Sequence, residues 1–168
     1  MAIHIIIDGY NLIGSETGLG GNLEGKRNQL IRQLQQYQES KGYPITVVFD
    51  GWRSGWRHEV EDRSGGITVI FSQLGEKADR VIQRLAREMG RGCVVVTSDR
   101  EVCGAAEASG AVAIYAGEFS AKLQNLDREL FFEEEDEGLK DLRVEEKRGN
   151  PRRLSKRERR RRERLKKL

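Results

Sequence analysis

The sequence predicts an α/β fold: a central, mostly parallel sheet of about five strands covered by helices on both faces, then a basic C-terminal tail. Three observations carry this. Short apolar runs alternate with segments of helical period from residue 3 to residue 132. The runs are almost continuously apolar, as strands buried on both faces are. After residue 132 the chain holds little that a core would bury. A length of 168 residues suits one compact domain with a modest tail.

The elements follow in order. Residues 3–7 (IHIII) read as the first strand, and a Gly-rich loop, GSETGLGGNLEG, comes after it. Residues 24–40 have helical spacing, with Leu30, Ile31, Leu34 and Tyr37 on one face. YPITVVFDG is a second strand that runs into Asp50. WRSGWRHEVEDRSGG reads as a loop with room for a turn of strand, and ITVIF as a third strand. In GEKADRVIQRLAREMG, Ala78, Val81, Ile82, Leu85 and Met89 repeat at helical intervals, and Gly90 ends the helix. GCVVVTSD is a fourth strand running into Asp99; DREVCGAAEASG is a short helix and AVAIY a fifth strand. Residues 118–132 form the last helix, with Phe119, Leu123, Leu126, Leu130 and Phe131 as its apolar face. Residues 1–132 are therefore taken as the domain, and 133–168 as a tail, acidic and then basic. Within the tail Ser155 and Glu158 have the spacing of a capping box. With so few apolar residues, that helix is expected to be disordered or to fold on contact.

Charge is unevenly spread. Residues 147–168 hold 13 Lys/Arg against two Glu, a net +11, while the rest of the chain is −8. Basic blocks of this kind contact nucleic acid, so the tail is expected to bind RNA, most simply ribosomal RNA. The other reading is a solvated helix, or one folded back on EEEDE. No apolar run reaches the length of a membrane span and no signal peptide is evident, so a cytoplasmic location is expected. Cys93 and Cys103 have no Cys or His partners at metal spacing, and neither a zinc site nor a disulfide is expected.

Asp8, Asp50 and Asp99 each end an apolar strand, and Asp79 lies in the first turn of a helix that follows one. In an open parallel sheet all strand C-termini share one edge, where ligands bind. Four acids from distant parts of the chain are thus expected to converge, and Mg²⁺ or Mn²⁺ would relieve their repulsion. Each also has a local role open to it, as a turn-former, a helix cap or a partner of the helix dipole. Asn11, three residues after Asp8, is either a cap or a neutral partner that orients water or a phosphate oxygen. Thr97 and Ser98 either hydrogen-bond a carboxylate or phosphate, or cap the next helix.

The blocks IIIDGYNLI, VVFDG, GEKADRVIQRLA and VVTSDRE stand in the order seen in NYN-domain proteins of the PIN-like nuclease superfamily. The chain most resembles the YacP-like branch, over residues 3–132. That resemblance implies a three-layer PIN-like fold and metal-dependent endoribonuclease activity. It implies Asp8, Asp79 and Asp99 as metal ligands for Mg²⁺ or Mn²⁺, with Asp50 as a further acid and Asn11 as a polar catalytic partner. Relatives in this branch are linked to cleavage of mRNA on translating ribosomes, a role the resemblance leaves open here. The tail lies outside the matching blocks. A non-catalytic RNA- or ribosome-binding module of the same fold is the competing expectation.

Trp52, Arg53, Trp56 and Arg57 interleave aromatics with cations directly after Asp50, a composition suited to single-stranded RNA, although a Trp could equally pack on the core. Lys26, Arg27 and Ser98 are further candidates for substrate contact. GGNLEGKR approaches a phosphate-binding P-loop, but Arg27 replaces the hydroxyl residue and twelve residues separate Ile7 from Gly20. Tyr10 stands where an aspartyl-nucleophile phosphatase needs its second aspartate. Oligomeric state, metal count and the RNA cut are not legible.

Overall fold

The computed structural model describes residues 3–51, 60–133 and 155–168. One sheet runs through these residues, built from β1 (His4–Asp8), β2 (Ile45–Phe49), β3 (Val60–Ser64), β4 (Ile67–Phe71), β5 (Cys93–Val96) and β6 (Val112–Ile114). Its order is β3-β4-β2-β1-β5-β6. All neighbours are parallel except β3 and β4. The sheet therefore has six strands among the described residues where about five were expected. The additional one is β3, whose Glu61, Asp62 and Arg63 are exposed. A charged edge strand has no apolar period to read, and charge is how an edge avoids pairing with other chains. Gly65 and Gly66, both at positive φ, close the β3–β4 hairpin.

Six helices among the described residues accompany the sheet: α1 (Gly9–Glu16), α2 (Leu23–Lys41), α3 (Ala78–Met89), α4 (Arg100–Ala108), α5 (Ala116–Glu133) and α6 (Lys156–Lys167). Successive strand residues point to opposite faces and so feed two cores. Ile5, Ile7, Val47, Phe49, Val94 and Val96 face α1, α2 and α5. Ile6, Val48, Ile70 and Val95 face α3 and α4. On α3 the expected stripe is realised, with Ala78, Val81 and Ile82 buried and Leu85 and Met89 partly so.

The first helix is a correction. Sequence reading placed a Gly-rich loop directly after β1, but α1 begins at Gly9. It is only two turns long and poor in helix-formers; burial of Tyr10, Leu12 and Ile13 holds it together. Gly9 is required by packing: a Cβ there would lie 2.3 Å from the Phe49 ring.

The basic end of the chain is helical and docked. Ser155 caps α6 by accepting from the Glu158 N–H at 3.2 Å, as the capping-box spacing predicts. The helix packs beside β6, the last strand of the sheet. Leu168 is 2% exposed within the α2–α5 core, and Leu165 packs against it. The Tyr37 hydroxyl donates to the Leu168 carbonyl at 2.8 Å and the Tyr43 hydroxyl to the Lys167 carbonyl at 3.0 Å. Arg157 pairs with Glu107 at 2.9 Å, and Arg161 pairs with Glu118 while lying over the Tyr115 ring. Apart from Glu133, the EEEDE segment lies outside the described residues. Among the described residues no helix is long and apolar enough to cross a membrane.

Candidate active site

Strands β2, β1 and β5 are adjacent and parallel, so their C-terminal ends open on one edge. Asp8 ends the middle strand. Asp50 follows β2 on one side of it, and Asp99 follows β5 on the other, after Thr97 and Ser98. Helix α3 packs against β1 and β2, and its second residue is Asp79. The four acids lie at this edge, near enough that Asp79 and Asp50 act on Asp8, and Asp99 and Asp50 act on Asp79.

Their local duties differ. Asp8, 9% exposed, occupies the N-cap position of α1 without a full capping hydrogen bond, although the Asn11 N–H is near enough to favour its charged form. The Thr97 hydroxyl donates to its Oδ2 at 3.4 Å. Asp50 Oδ1 accepts from the Ala78 N–H at 2.7 Å. It thereby caps α3 from another element, since the positional cap, Lys77, makes no side-chain bond. Asp99 caps its own helix, Oδ1 accepting from the N–H groups of Glu101 and Val102 at 2.9 and 3.4 Å. For Asp50 and Asp99 the capping role coexists with their place in the cluster. Asn11 Oδ1 accepts from the Ser98 N–H at 2.9 Å and ties the first turn of α1 to the turn before Asp99.

Ser98 thus contributes its backbone, and Thr97 supplies the hydroxyl. Thr97 is fully buried, donates to Asp8 and accepts from the Asp99 N–H at 3.2 Å. It links two of the acids, which is the carboxylate-bonding role that was one of the two readings open to it.

Gly51 is an unforeseen determinant. It is buried, its N–H donates to Ser72 Oγ at 3.0 Å, and a Cβ on it would sit 1.4 Å from the Ser72 carbonyl oxygen. Only glycine lets the chain leaving β2 cross the β4–α3 connection this closely, and that crossing delivers Asp50 to the start of α3. Both Asp-Gly pairs of the site, at 8–9 and 50–51, therefore use glycine for close approach.

The carboxylates act on one another. Burial pushes the Asp8 carboxyl up to about 7, and the charges of Asp79 and Asp50 push the same way. The Asn11 backbone N–H and the Thr97 hydroxyl oppose them. Asp79 is also raised, first by burial and then by Asp99 and Asp50, with Lys77 opposing. Lys77 offsets the repulsion only in part, and both acids stay raised. Among the described residues no three His, Cys, Asp or Glu side chains form a ready metal cage. The donor set still fits a hard divalent cation: oxygen ligands alone, several negative charges and partial exposure. Mg²⁺ binds through one or two carboxylates and keeps much of its water, so a closed cage is not required.

Of the expected substrate contacts, Lys26 is engaged elsewhere. Its ammonium donates to the carbonyls of Thr17, Gly18 and Gly20, at 3.3, 2.8 and 2.5 Å, and fastens the Gly-rich loop. The same fact disposes of the P-loop likeness, because Lys26 lies inside α2 and grips protein carbonyls. Arg27 donates to the Tyr10 hydroxyl at 3.1 Å and lies over the ring of Phe71, the last residue of β4, which sets it near the same edge. Trp52, Arg53, Trp56 and Arg57 lie outside the described residues. His4 is structural, paired with Thr46 Oγ1 at 2.8 Å and lowered in pKa by burial. Cys93 and Cys103 are buried free thiols.

Comparison with known proteins agrees with this architecture. The sequence model of the family described as "YacP-like NYN domain" matches residues 5–167, extending through α6 and beyond the four motif blocks. The "Uncharacterized protein YacP" of Bacillus subtilis is 29% identical over 139 residues, which cover 75% of this chain and 78% of that one. The crystal structure of Rae1 (YacP) from Bacillus subtilis is similar with a TM-score of 0.64 and 28% identity, covering 79% of each chain. A tryptophan-to-leucine mutant of that protein gives a TM-score of 0.66 at 28% identity, covering 77% of this chain and 80% of that one.

Proposed function

This chain belongs to the YacP-like NYN domain family, of a nuclease-like superfamily, and on that premise we propose that it is a metal-dependent endoribonuclease. The observation that carries the proposal is the set of four carboxylates at one sheet edge, each within the field of others and two of them raised in pKa. A fold gains nothing in stability from such repulsion. It gains a site for a divalent cation and, through it, for an RNA phosphate.

In this reading Asp8, Asp79 and Asp99 hold Mg²⁺ or Mn²⁺. When bound, the ion supplies an activated water and charge stabilisation for in-line attack on the phosphodiester. The protein's part is positioning. Thr97 holds Asp8 and the turn before Asp99 in register. Asn11 fixes that turn to α1 and orients polar groups at the site. Asp50 holds the first turn of α3, and hence Asp79, against the edge. Arg27, at the same edge, is available for a phosphate. The products are expected to carry a 5′-phosphate and a 3′-hydroxyl. The substrate would be mRNA, with ribosomal RNA contacted by the basic helix α6 when the message is ribosome-bound.

The test is cleavage of a labelled single-stranded RNA in Mn²⁺ by purified wild type, Asp8→Asn and Asp79→Asn proteins. Both substitutions should reduce the rate by at least a hundredfold. Equal rates would sink the proposal. RNA binding without metal-dependent cleavage by the wild type would instead identify a non-catalytic RNA-binding module.

A further inference from the structure

The seam between α6 and the sheet edge is hollow and cationic. Three cavities, of 240, 160 and 350 Å³, run along it and share walls. Their lining comes from two sources. The sheet side offers Ala111, Val112, Ala113 and Tyr115, the last 41% exposed. The helix side offers arginines and lysines.

The arginines fall into two groups. Arg157 and Arg161 are consumed in docking, on Glu107 and Glu118. Arg160 and Arg164 face the seam from α6, and Arg91 faces it from the turn after α3. None of these three pairs with a described carboxylate, although Glu163 lines the lower cavity with them. Helix α6 carries nine Lys/Arg and two Glu in twelve residues. Arg160 and Arg164 are four apart, so they stack as like charges on one face. Docking by Leu165, Leu168, Tyr37 and Tyr43 holds this self-repelling array in place. A polyanion in the seam would relieve the repulsion at no further ordering cost.

We infer that this seam is a groove for single-stranded RNA, with phosphates on Arg91, Arg160 and Arg164 and bases against the β6 floor and Tyr115. Cations along a track with apolar and aromatic surface beneath are how single strands are held without sequence preference. Cavities of a few hundred Å³ admit single nucleotides and exclude a duplex. The groove runs the length of β6, from Arg91, Gly110 and Val112 at the start of β5 and β6 to Tyr115 just past the end of β6. Strand β6 is parallel to β5, so the Tyr115 end is the one that reaches the edge where Asp99 follows β5. The inference rests on the RNA-directed reading above but not on catalysis. It also makes binding a property of the domain and the helix together, because Arg91 lies outside the basic tail.

Binding of a fluorescent oligouridylate of about 20 nucleotides, followed by anisotropy in EDTA across a KCl series, tests it. The full-length Arg91→Ala/Arg160→Ala/Arg164→Ala protein should bind at least tenfold more weakly at 0.1 M KCl. Its slope of log K against log salt should be shallower by roughly 2, about 0.7 for each single-strand phosphate no longer neutralised. Arg162→Ala/Lys166→Ala, on exposed positions that line none of these cavities, should change affinity less than threefold. Circular dichroism melting checks that each variant is folded. The groove is overturned if Arg91→Ala alone leaves affinity and slope unchanged, or if duplex RNA competes as well as the single strand. Cleavage in Mn²⁺ is measured separately: a wild type that binds as described but does not cut keeps the groove and loses the nuclease.

Discussion

Replacing Asp8 by asparagine should stabilise the metal-free protein at neutral and higher pH while abolishing activity. Asp8 titrates at about 7 in the folded chain against an ordinary aspartate value of 3.8. Below 3.8 it is protonated in both states and costs nothing. Between 3.8 and about 7 the unfolded chain has released the proton and the folded chain has not, so stability falls as pH rises. Above about 7 the full penalty is present, about 4 kcal/mol for a shift of roughly three pH units. Asn keeps the shape and an acceptor for Thr97, and removes the charge. Allowing for relaxation around the remaining acids, about 2 kcal/mol should be recovered, or ~4–8 °C in Tm for a chain of this size. The assay is thermal unfolding in EDTA at pH 8 and at pH 4, with and without saturating Mn²⁺. The gain should appear at pH 8 and shrink at pH 4. Mn²⁺ should raise Tm of the wild type and leave that of Asp8→Asn nearly unmoved. A metal-free Asp8→Asn protein less stable than wild type at pH 8 would refute the claim that this cluster is repulsive.

Three other expectations bear on the same edge and on the docked helix. Gly51→Ala forces a Cβ onto the Ser72 carbonyl and should cost at least ~3 kcal/mol in denaturant unfolding, whereas an unchanged midpoint would mean that this crossing can relax. Asp99→Asn preserves the cap of α4 and should lose activity with little loss of stability; Asp99→Ala should lose activity and about 1 kcal/mol besides, read by cleavage and unfolding on the same samples. Leu168→Ala empties a buried position and should cost about 2–4 kcal/mol and expose α6 to limited proteolysis, an outcome that fails if α6 is as protected as in wild type.

The alternation of apolar runs and helical periods was enough for the sheet, for α2 to α5 and for the edge on which the acids meet. Those signals are local: period two or near-continuous burial for strands, period 3.6 for helices, and an aspartate where an apolar run stops. What escaped was decided by neighbours distant in sequence. Helix α1 exists because Tyr10, Leu12 and Ile13 find a core, and the composition of GYNLIGSE argues for a loop. Strand β3 is charged because it is an edge. Lys26 looked like a phosphate ligand until the loop before it closed around its ammonium.

The sequence by itself determined the fold class and nominated Asp8, Asp50, Asp79 and Asp99, because a parallel sheet sends every strand end to one side. Only the tertiary structure decided how each acid is used, because hydrogen-bond reach is set by packing and not by spacing. It left the Asp8 carboxylate short of a full cap, turned Asp50 into the cap of a helix 28 residues away, and set the Thr97 hydroxyl between two acids. It also decided the fate of the basic tail. Composition alone allowed disorder; a leucine in the core, two tyrosine hydroxyls and two ion pairs made residues 156–167 of it a docked helix with a cationic seam beneath it.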